Sequence, residues 1–264
     1  MRYWRLIDSG TLPGELNMGI DQALLRLHVR GDSSPTLRFY QWGPPAVSLG
    51  CLQRKPLFDD GACRRLGLDV VKRSTGGRAV LHLNDLTYSI ISGTQEGMPI
   101  TLPAAYRHLC RGLLAGFRLL GVDAELGQDQ ARADQSDVCF SRSLIGDIVF
   151  QGKKFVGSAQ TWSGSSLLQH GSILLKPQTA TWAELLGGDE HTRQTHCEDL
   201  NKRMTSLSEI LGHVPPIHAV KTAIVKGMAQ ELGVVFAEGQ LTPSEWELAR
   251  EIAKQSKCDA ASHF

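Results

Sequence analysis

The chain has 264 residues, with 28 Lys+Arg against 27 Asp+Glu and a formal net charge of +1. That length buries a full core without disulfide staples, as one large domain or a core domain with a small appendage. The balanced charge offers neither a basic block for nucleic acid nor an acidic solvating tail, so no nucleic-acid partner is expected. The opening MRYWRLIDSG is too polar for a signal peptide. No apolar run reaches the roughly 18 residues that span a bilayer, so a cytoplasmic chain without a membrane partner is expected. Six cysteines, at 51, 63, 110, 139, 197 and 258, form no CxxC pair. They indicate neither zinc site nor redox dithiol, and a thiol here is either a small buried hydrophobe or a nucleophile.

In chain order, GELNMGIDQALLRLHVR (14–30) places Leu16, Ile20, Leu24 and Leu27 at helical spacing. TLRFYQW and AVSLG read as strands around the turn GPPA. GLDVVKR and AVLHLNDLTYSIIS are strand-rich and flank STGGR. LPAAYRHLCRGLLAGFRLLGVD reads as a helix, with Pro103 near its start, Gly121 at its end and Cys110 as a structural residue within it. Residues 127–138 are polar and without period, which predicts a loop. DIVFQGKKFVGSAQTW reads as a hairpin turning at Gln151-Gly152, and LLQHGSILL as a further strand. Three helix starts follow with capping-box spacing: Thr181 with Glu184, Ser206 with Glu209, and Thr242 with Glu245, the last with Pro243 at the first helical position. Strands first and helices last predict an α+β fold rather than alternating βαβ units. There is no internal repeat, low-complexity segment or Gly/Ser linker, and a soft boundary falls near residue 200, where EDLNKRMTSL begins.

STGGRAVLH (74–82) poses the main functional question. Gly76-Gly77 alone reads as a tight turn and matches neither GxGxxG nor a P-loop. Arg73, Arg78 and His82 beside it point instead to a loop that meets an anionic or polar ligand, with glycine letting backbone N–H groups approach. Cys139, in QSDVCFSRS, is either a buried structural thiol or a nucleophile; the second role needs a nearby cation, which Lys154 in the next hairpin supplies. His170 interrupts an apolar strand and reads as a hydrogen-bonded core histidine or a pocket residue. His191, His196 and Cys197 in HTRQTHCED fit no common zinc spacing, and their surroundings read as a solvated loop.

Taken together, RSTGGRAVLH, DLTYS, KKFVGSAQTW and LLQHGSILL, after LNMGIDQALL and YQWGPPAVSLGCLQ, resemble the lipoate/biotin protein ligase and octanoyltransferase family. The resemblance covers residues 1–176 strongly and the rest more loosely. It implies a biotin/lipoate ligase-like catalytic domain over 1–200, a mixed and largely antiparallel sheet with flanking helices, and a small helical segment over 201–264 packed on it. ATP-dependent ligases of this family form an acyl-adenylate and carry a loop like R-x-x-G-G-G-A. Cysteine-dependent octanoyltransferases carry G-G-R-A, as Gly76-Gly77-Arg78-Ala79 does here, with Cys139-Phe140 at the acyl-accepting position. A third group moves octanoyl between carrier proteins from a Cys-Pro-Gly context, which Phe140-Ser141 does not match. The tail KQSKCDAASHF departs from the Lys-Tyr…Trp ending of such relatives.

The resemblance therefore implies an octanoyltransferase with Cys139 and Lys154 as catalytic residues. Arg73, Gly76, Gly77, Arg78, His82, Gly157, Ser158 and His170 would line the substrate, with His170 shaping the pocket rather than acting as a base. Octanoyl–acyl carrier protein is the implied donor. A lipoyl carrier domain, of glycine-cleavage H protein or of a 2-oxoacid dehydrogenase, is the implied acceptor. No cofactor or metal is required, and a monomer is the default expectation. The alternatives are an ATP- and magnesium-dependent lipoate ligase, and a non-catalytic module that only docks carrier domains.

Overall fold

The computed structural model describes residues 2–53, 58, 60–127 and 147–261. Among these, the chain runs β1 (Arg2–Leu12), α1 (Gly14–Arg30), β2 (Thr36–Trp42), β3 (Ala46–Leu49), α2 (Asp60–Arg65), β4 (Asp69–Lys72), β5 (Val80–His82) and β6 (Asp85–Gly93). After a 3-10 turn it continues through α3 (Leu102–Leu119), β7 (Glu125–Leu126), β8 (Ile148–Phe150), β9 (Lys153–Ser163) and β10 (Ser166–Leu174). It then runs α4 (Thr179–Leu186), α5 (Glu190–Arg203), α6 (Leu207–Leu211), α7 (Ile217–Leu232), β11 (Val234–Glu238) and α8 (Pro243–Ala261).

Eight strands form one sheet in the order β11-β1-β2-β6-β10-β9-β8-β7. β1 pairs parallel with both its neighbours, and the other pairings are antiparallel. The mixed, largely antiparallel α+β architecture expected from the sequence is what forms. The β8–β9 hairpin turns at Gln151 (φ 49°) and Gly152 (φ 75°), two consecutive left-handed residues that match the twist of the flanking strands.

β6 and β10 are buried along their whole length, because helices cover both faces of the sheet. On one face Leu86, Tyr88, Ile90, Leu167 and Ile173 join Leu109, Leu113, Phe117, Ile224 and Met228 of α3 and α7 in one core. On the other, Ile91 and Leu168 pack with Ile20, Leu24, Ala249 and Ile252 of α1 and α8. A second sheet, β4-β3-β5, lies beside this layer, with Val47 and Leu81 packed against Trp182, Leu185 and Leu200 of α4 and α5.

Several local expectations are corrected. Thr181 is not a cap: α4 begins at Thr179 and its cap is Gln178, whose amide side chain donates to the Leu83 carbonyl. The HTRQTHCED stretch is not a loop but part of α5, capped by Asp189 through the Thr192 N–H at 2.8 Å. Its polarity reflects an exposed helix on which only Leu200 is buried. Residue 200 lies inside that helix, and the chain beyond it adds β11 to the edge of the main sheet, a strand that no alternation announces. The Thr242–Glu245 box does form: the Thr242 N–H donates to Glu245 Oε2 at 2.8 Å, and the Glu245 N–H to Thr242 Oγ1 at 3.3 Å. At Ser206 the helix starts as expected, but the hydroxyl bonds the Glu209 carboxylate at 2.7 Å rather than the backbone.

α3 and α7 meet backbone to backbone. A Cβ added at Gly227 would lie 2.1 Å from the Gly116 nitrogen, and one at Gly116 would lie 2.8 Å from the Ile224 Cα. Neither obstacle is the movable end of a side chain. Gly227→Ala therefore forces the helices apart, at a cost of about 1–3 kcal/mol for overpacking. The melting temperature should fall by several degrees in a chain of this size, and unchanged thermal unfolding would refute the close contact.

Candidate active site

The STGGR loop joins β4 to β5, and Arg73 holds it from behind. Its guanidinium donates to the Gly76 carbonyl at 2.9 Å, the Arg78 carbonyl at 2.7 Å and the Ser48 carbonyl at 2.8 Å. A planar fork of fixed donors suits three converging carbonyls. Gly77 adopts φ +93°, a conformation that L side chains rarely take. The loop lies so close to the end of β3 that a Cβ on Gly50 would sit 2.0 Å from the Gly77 oxygen.

Two buried carboxylates organise what lies in front of the loop. Asp21 projects from α1. It accepts from Arg38 Nη1 at 2.8 Å, the Tyr40 hydroxyl at 2.8 Å and the Ser89 hydroxyl at 2.8 Å, and it meets His170 Nδ1 at 3.0 Å. The other nitrogen of His170 lies 2.6 Å from Thr75 Oγ1, so the imidazole links this carboxylate to the loop. Burial pushes the Asp21 carboxyl up. The His170 hydrogen bond, the Arg38 charge and the Ser89 hydroxyl outweigh that and hold it below the ordinary value. Asp85 is the second hub: it meets His82 Nδ1 at 2.9 Å and accepts from Thr87 at 3.0 Å and Ser172 at 2.7 Å. His82 Nε2 lies 2.8 Å from Ser48 Oγ, and the ring stacks on Trp42 with centroids 3.8 Å apart. Burial pushes the His82 imidazole below the ordinary histidine value, and Asp85 offsets this only partly.

Strand alternation explains the placement. His170 and Ser172 of β10 stand opposite Ser89 and Thr87 of β6, so their side chains share one face of the sheet. That half-face is polar where the rest is apolar, and it opens into a cleft. Met18, Tyr40, Trp42 and Val80 give the cleft an apolar wall, and Ser48, Arg73, His82, Thr87, His170 and Ser172 a polar one. Gly157, Ser158, Ala159 and Gly171 complete the lining.

Of the sequence-predicted site residues, Arg73, His82, Gly157, Ser158 and His170 thus come together, and Arg73 ties Gly76 and Arg78 to them. Lys154 lies on β9 three residues before Gly157. It is 1% exposed, and its Nζ pairs with Asp147 at 2.9 Å. Cys139 lies outside the described residues. Cys110 sits in α3 as expected, fully buried, with its thiol pushed up to about 12 by burial. Among the described residues, no group of three or more His, Cys, Asp or Glu is placed to hold a metal, and no helix is long and apolar enough to cross a membrane. Asp21, Asp85, Ser48 and Trp42 escaped the sequence analysis. One signal was available: Asn17 and Asp21 stand one turn apart beside the apolar Met18, Ile20 and Leu24 of α1, and a pair buried there needs polar partners.

The lipoyl protein ligase A/B catalytic domain profile matches residues 13–229. The octanoyltransferase LipM of Geobacillus kaustophilus is 38% identical over 261 residues, covering 95% of this chain and 94% of that protein. The octanoyltransferase LipM of Clostridioides difficile is 34% identical over 265 residues, covering 97% of each. Among solved structures, a lipoate-protein ligase A bound with ATP superposes with a TM-score of 0.78 at 25% identity, covering 97% of this chain and 95% of that one. A bipartite lipoate protein ligase from Thermoplasma acidophilum has the same fold, with a TM-score of 0.80 at 23% identity over 97% of this chain and 93% of its own.

Asp21→Asn leaves the Arg38 guanidinium, 0% exposed, without its carboxylate, and breaking such a buried pair costs about 3–5 kcal/mol. The urea midpoint should fall accordingly. Because the folded Asp21 carboxyl titrates below its ordinary value of 3.8, its contribution is fully present above that value. It is lost as pH falls through the lower, folded one. Stability measured against pH should therefore decline less steeply below pH 3.8 in Asp21→Asn than in the unaltered chain; parallel curves would show that Asp21 carries no such linkage.

Proposed function

The chain belongs to the lipoyl protein ligase A/B catalytic-domain family and is an acyltransferase of protein lipoylation, and from that premise we propose that it transfers octanoyl from acyl carrier protein, through a Cys139 thioester, to a lysine of a lipoyl carrier domain. The Cys139 thiolate attacks the donor thioester, and the carrier leaves as its free thiol. The lysine ε-amine then attacks the acyl-cysteine, an amide forms, and the Cys139 thiol is regenerated. Exchange between thioesters costs little, and amide formation drives the second step, so no ATP is consumed.

The observation that carries this reading is where the chain bearing Cys139 leaves and rejoins the sheet. The Gly127 N–H donates to the Asp147 carbonyl at 2.7 Å, so the two described ends of the 128–146 segment meet at one point. Asp147 is also the residue that holds Lys154. It follows Cys139 by eight residues, a reach of at most ~29 Å fully extended, and Lys154 Nζ lies 2.9 Å from its carboxylate. A buried ammonium there lowers a thiol pKa and stabilises a developing oxyanion. The acyl chain lies along Met18, Tyr40, Trp42 and Val80, with the Gly76-Gly77 loop against its carbonyl end. The acceptor is a lipoyl domain, in keeping with relatives named octanoyltransferases.

One likeness favours a second reading. The ligase superposed at 25% identity was solved with ATP bound, which suits ATP-dependent ligation through a lipoyl-adenylate. The Gly-Gly-Arg-Ala loop argues against it.

Intact-protein mass spectrometry after mixing with octanoyl–acyl carrier protein, without ATP or acceptor, decides between them. One octanoyl group should be gained, lost in Cys139→Ala and retained in Cys110→Ala, whose thiol is too deeply protonated to attack. No gain, with lipoyl-domain modification appearing only on supply of lipoate and ATP, would replace the transferase with the ligase. Lys154→Ala should cut the rate by about 10²–10³. It also removes the ion-pair partner of the buried Asp147 carboxylate, so Lys154→Met/Asp147→Asn provides the control: it should recover melting temperature but not activity. Recovery of both would place the catalytic cation elsewhere.

A further inference from the structure

We propose that Ser48, His82 and Asp85 form a second acyl-transfer centre, which cleaves medium-chain acyl esters and thioesters through an ester on Ser48 without Cys139. The geometry is that of a base-activated hydroxyl. Ser48 Oγ lies 2.8 Å from His82 Nε2, and His82 Nδ1 lies 2.9 Å from Asp85 Oδ2. Nucleophile, base and orienting carboxylate thus stand in line, each within hydrogen-bond reach of the next. Asp85 is itself fixed by Thr87 and Ser172, and the Trp42 stack fixes the plane of the His82 ring. Burial keeps that imidazole neutral near pH 7, the state a general base requires.

Two further features single out this hydroxyl. Arg73 Nη1 donates to Ser48 Oγ at 3.2 Å, so a guanidinium stands beside the oxygen on which an alkoxide would develop. Ser48, His82 and Arg73 also line the same cleft as Met18, Tyr40 and Val80, which puts the hydroxyl at the polar end of an apolar slot. Thr75, His170 and Asp21 repeat the order hydroxyl, imidazole, carboxylate. There the hydroxyl is secondary, and Thr75 is not among the residues that line the cleft.

The chemistry balances. Ser48 Oγ bonds to the acyl carbon as its proton passes to His82 Nε2, and the carbon–sulfur or carbon–oxygen bond of the substrate breaks. His82 returns the proton to the departing thiolate or alkoxide. Water then attacks the Ser48 ester through the same base, releasing the carboxylic acid and restoring the hydroxyl. This proposal shares with the transferase reading the use of the cleft for acyl chains, but not Cys139.

The test uses the full chain carrying Cys139→Ala, supplied with p-nitrophenyl octanoate and, separately, a fluorophosphonate probe. Sustained p-nitrophenol release is expected, lowered at least ~10²-fold by adding Ser48→Ala. Release should rise with pH through a titration below the ordinary histidine value of 6.5. Peptide mapping of the unaltered and Cys139→Ala chains should place the phosphonate on Ser48, and this needs no substitution at Ser48 that could disturb folding. Equal hydrolysis in a folded Ser48→Ala chain, or phosphonate absent from Ser48, overturns the relay. Octanoylation of Cys139 from acyl carrier protein is read on the same unaltered chain. A Ser48 adduct without octanoyl-Cys139 would refute the transferase mechanism alone, and octanoyl-Cys139 without a Ser48 adduct would refute the relay alone.

Discussion

The buried carboxylate of Asp21 is the point from which the site is built. A charge placed between a helix and a sheet is tolerated only when it is paired and fully hydrogen-bonded. Here one guanidinium, two hydroxyls and one imidazole satisfy it. The four partners come from three strands: Arg38 and Tyr40 from β2, Ser89 from β6, His170 from β10. Satisfying one carboxylate therefore fixes the register of three strands beneath α1 and aims His170 at the loop. Arg38 is committed further, to the Asn17 side chain at 2.7 Å and to Ser9 at 2.8 Å, so the hub also locks the start of α1 against β1.

Asp85, at the start of β6 in the same sheet, repeats the device and reaches across to His82 of the second sheet. Between them, the two carboxylates orient two histidines with no need of solvent, and leave a cleft whose polar groups are already in place. Preorganisation of this kind is what a transferred acyl carbonyl requires, because dipoles that need not move at the moment of reaction cost no reorganisation. The glycines serve the same end by a different route: Gly50 and Gly77 let two backbones touch where side chains would hold the loop away from the wall.

The elements with a strong period were legible in the sequence. α1, α3, the β8–β9 hairpin and β10 stand where their apolar spacing and turn residues place them, and Thr242, Pro243 and Glu245 mark the start of α8 in full. α4 was misplaced because Thr181 and Glu184 have capping-box spacing, yet Gln178 is held by tertiary contact with Leu83. α5 was missed because a helix that buries only Leu200 has no amphipathic signature. β11 was missed because a short edge strand is defined by its partner. For the site, the glycine loop and its flanking Arg73 and His82 were visible as motifs. Asp21, Asp85 and Ser48 were not, since their meaning lies in partners 17 to 149 residues away or in a three-residue step that reads as a turn.

The pairing of β1 with β11 constrains how the molecule can be made. Arg2 to Leu6 on β1 find their outer neighbours at Val234 to Glu238, so nearly the whole chain must emerge from the ribosome before that edge is closed. At synthesis rates of roughly 5–20 residues per second, the wait is on the order of ten to forty seconds. During it, a nascent strand carrying Trp4 and Leu6 presents unpaired backbone donors and acceptors, the kind of edge that recruits other strands. Until residue 234 is made, the outer edge of β1 stays open to pairing with any other strand, and a late translational pause lengthens that interval.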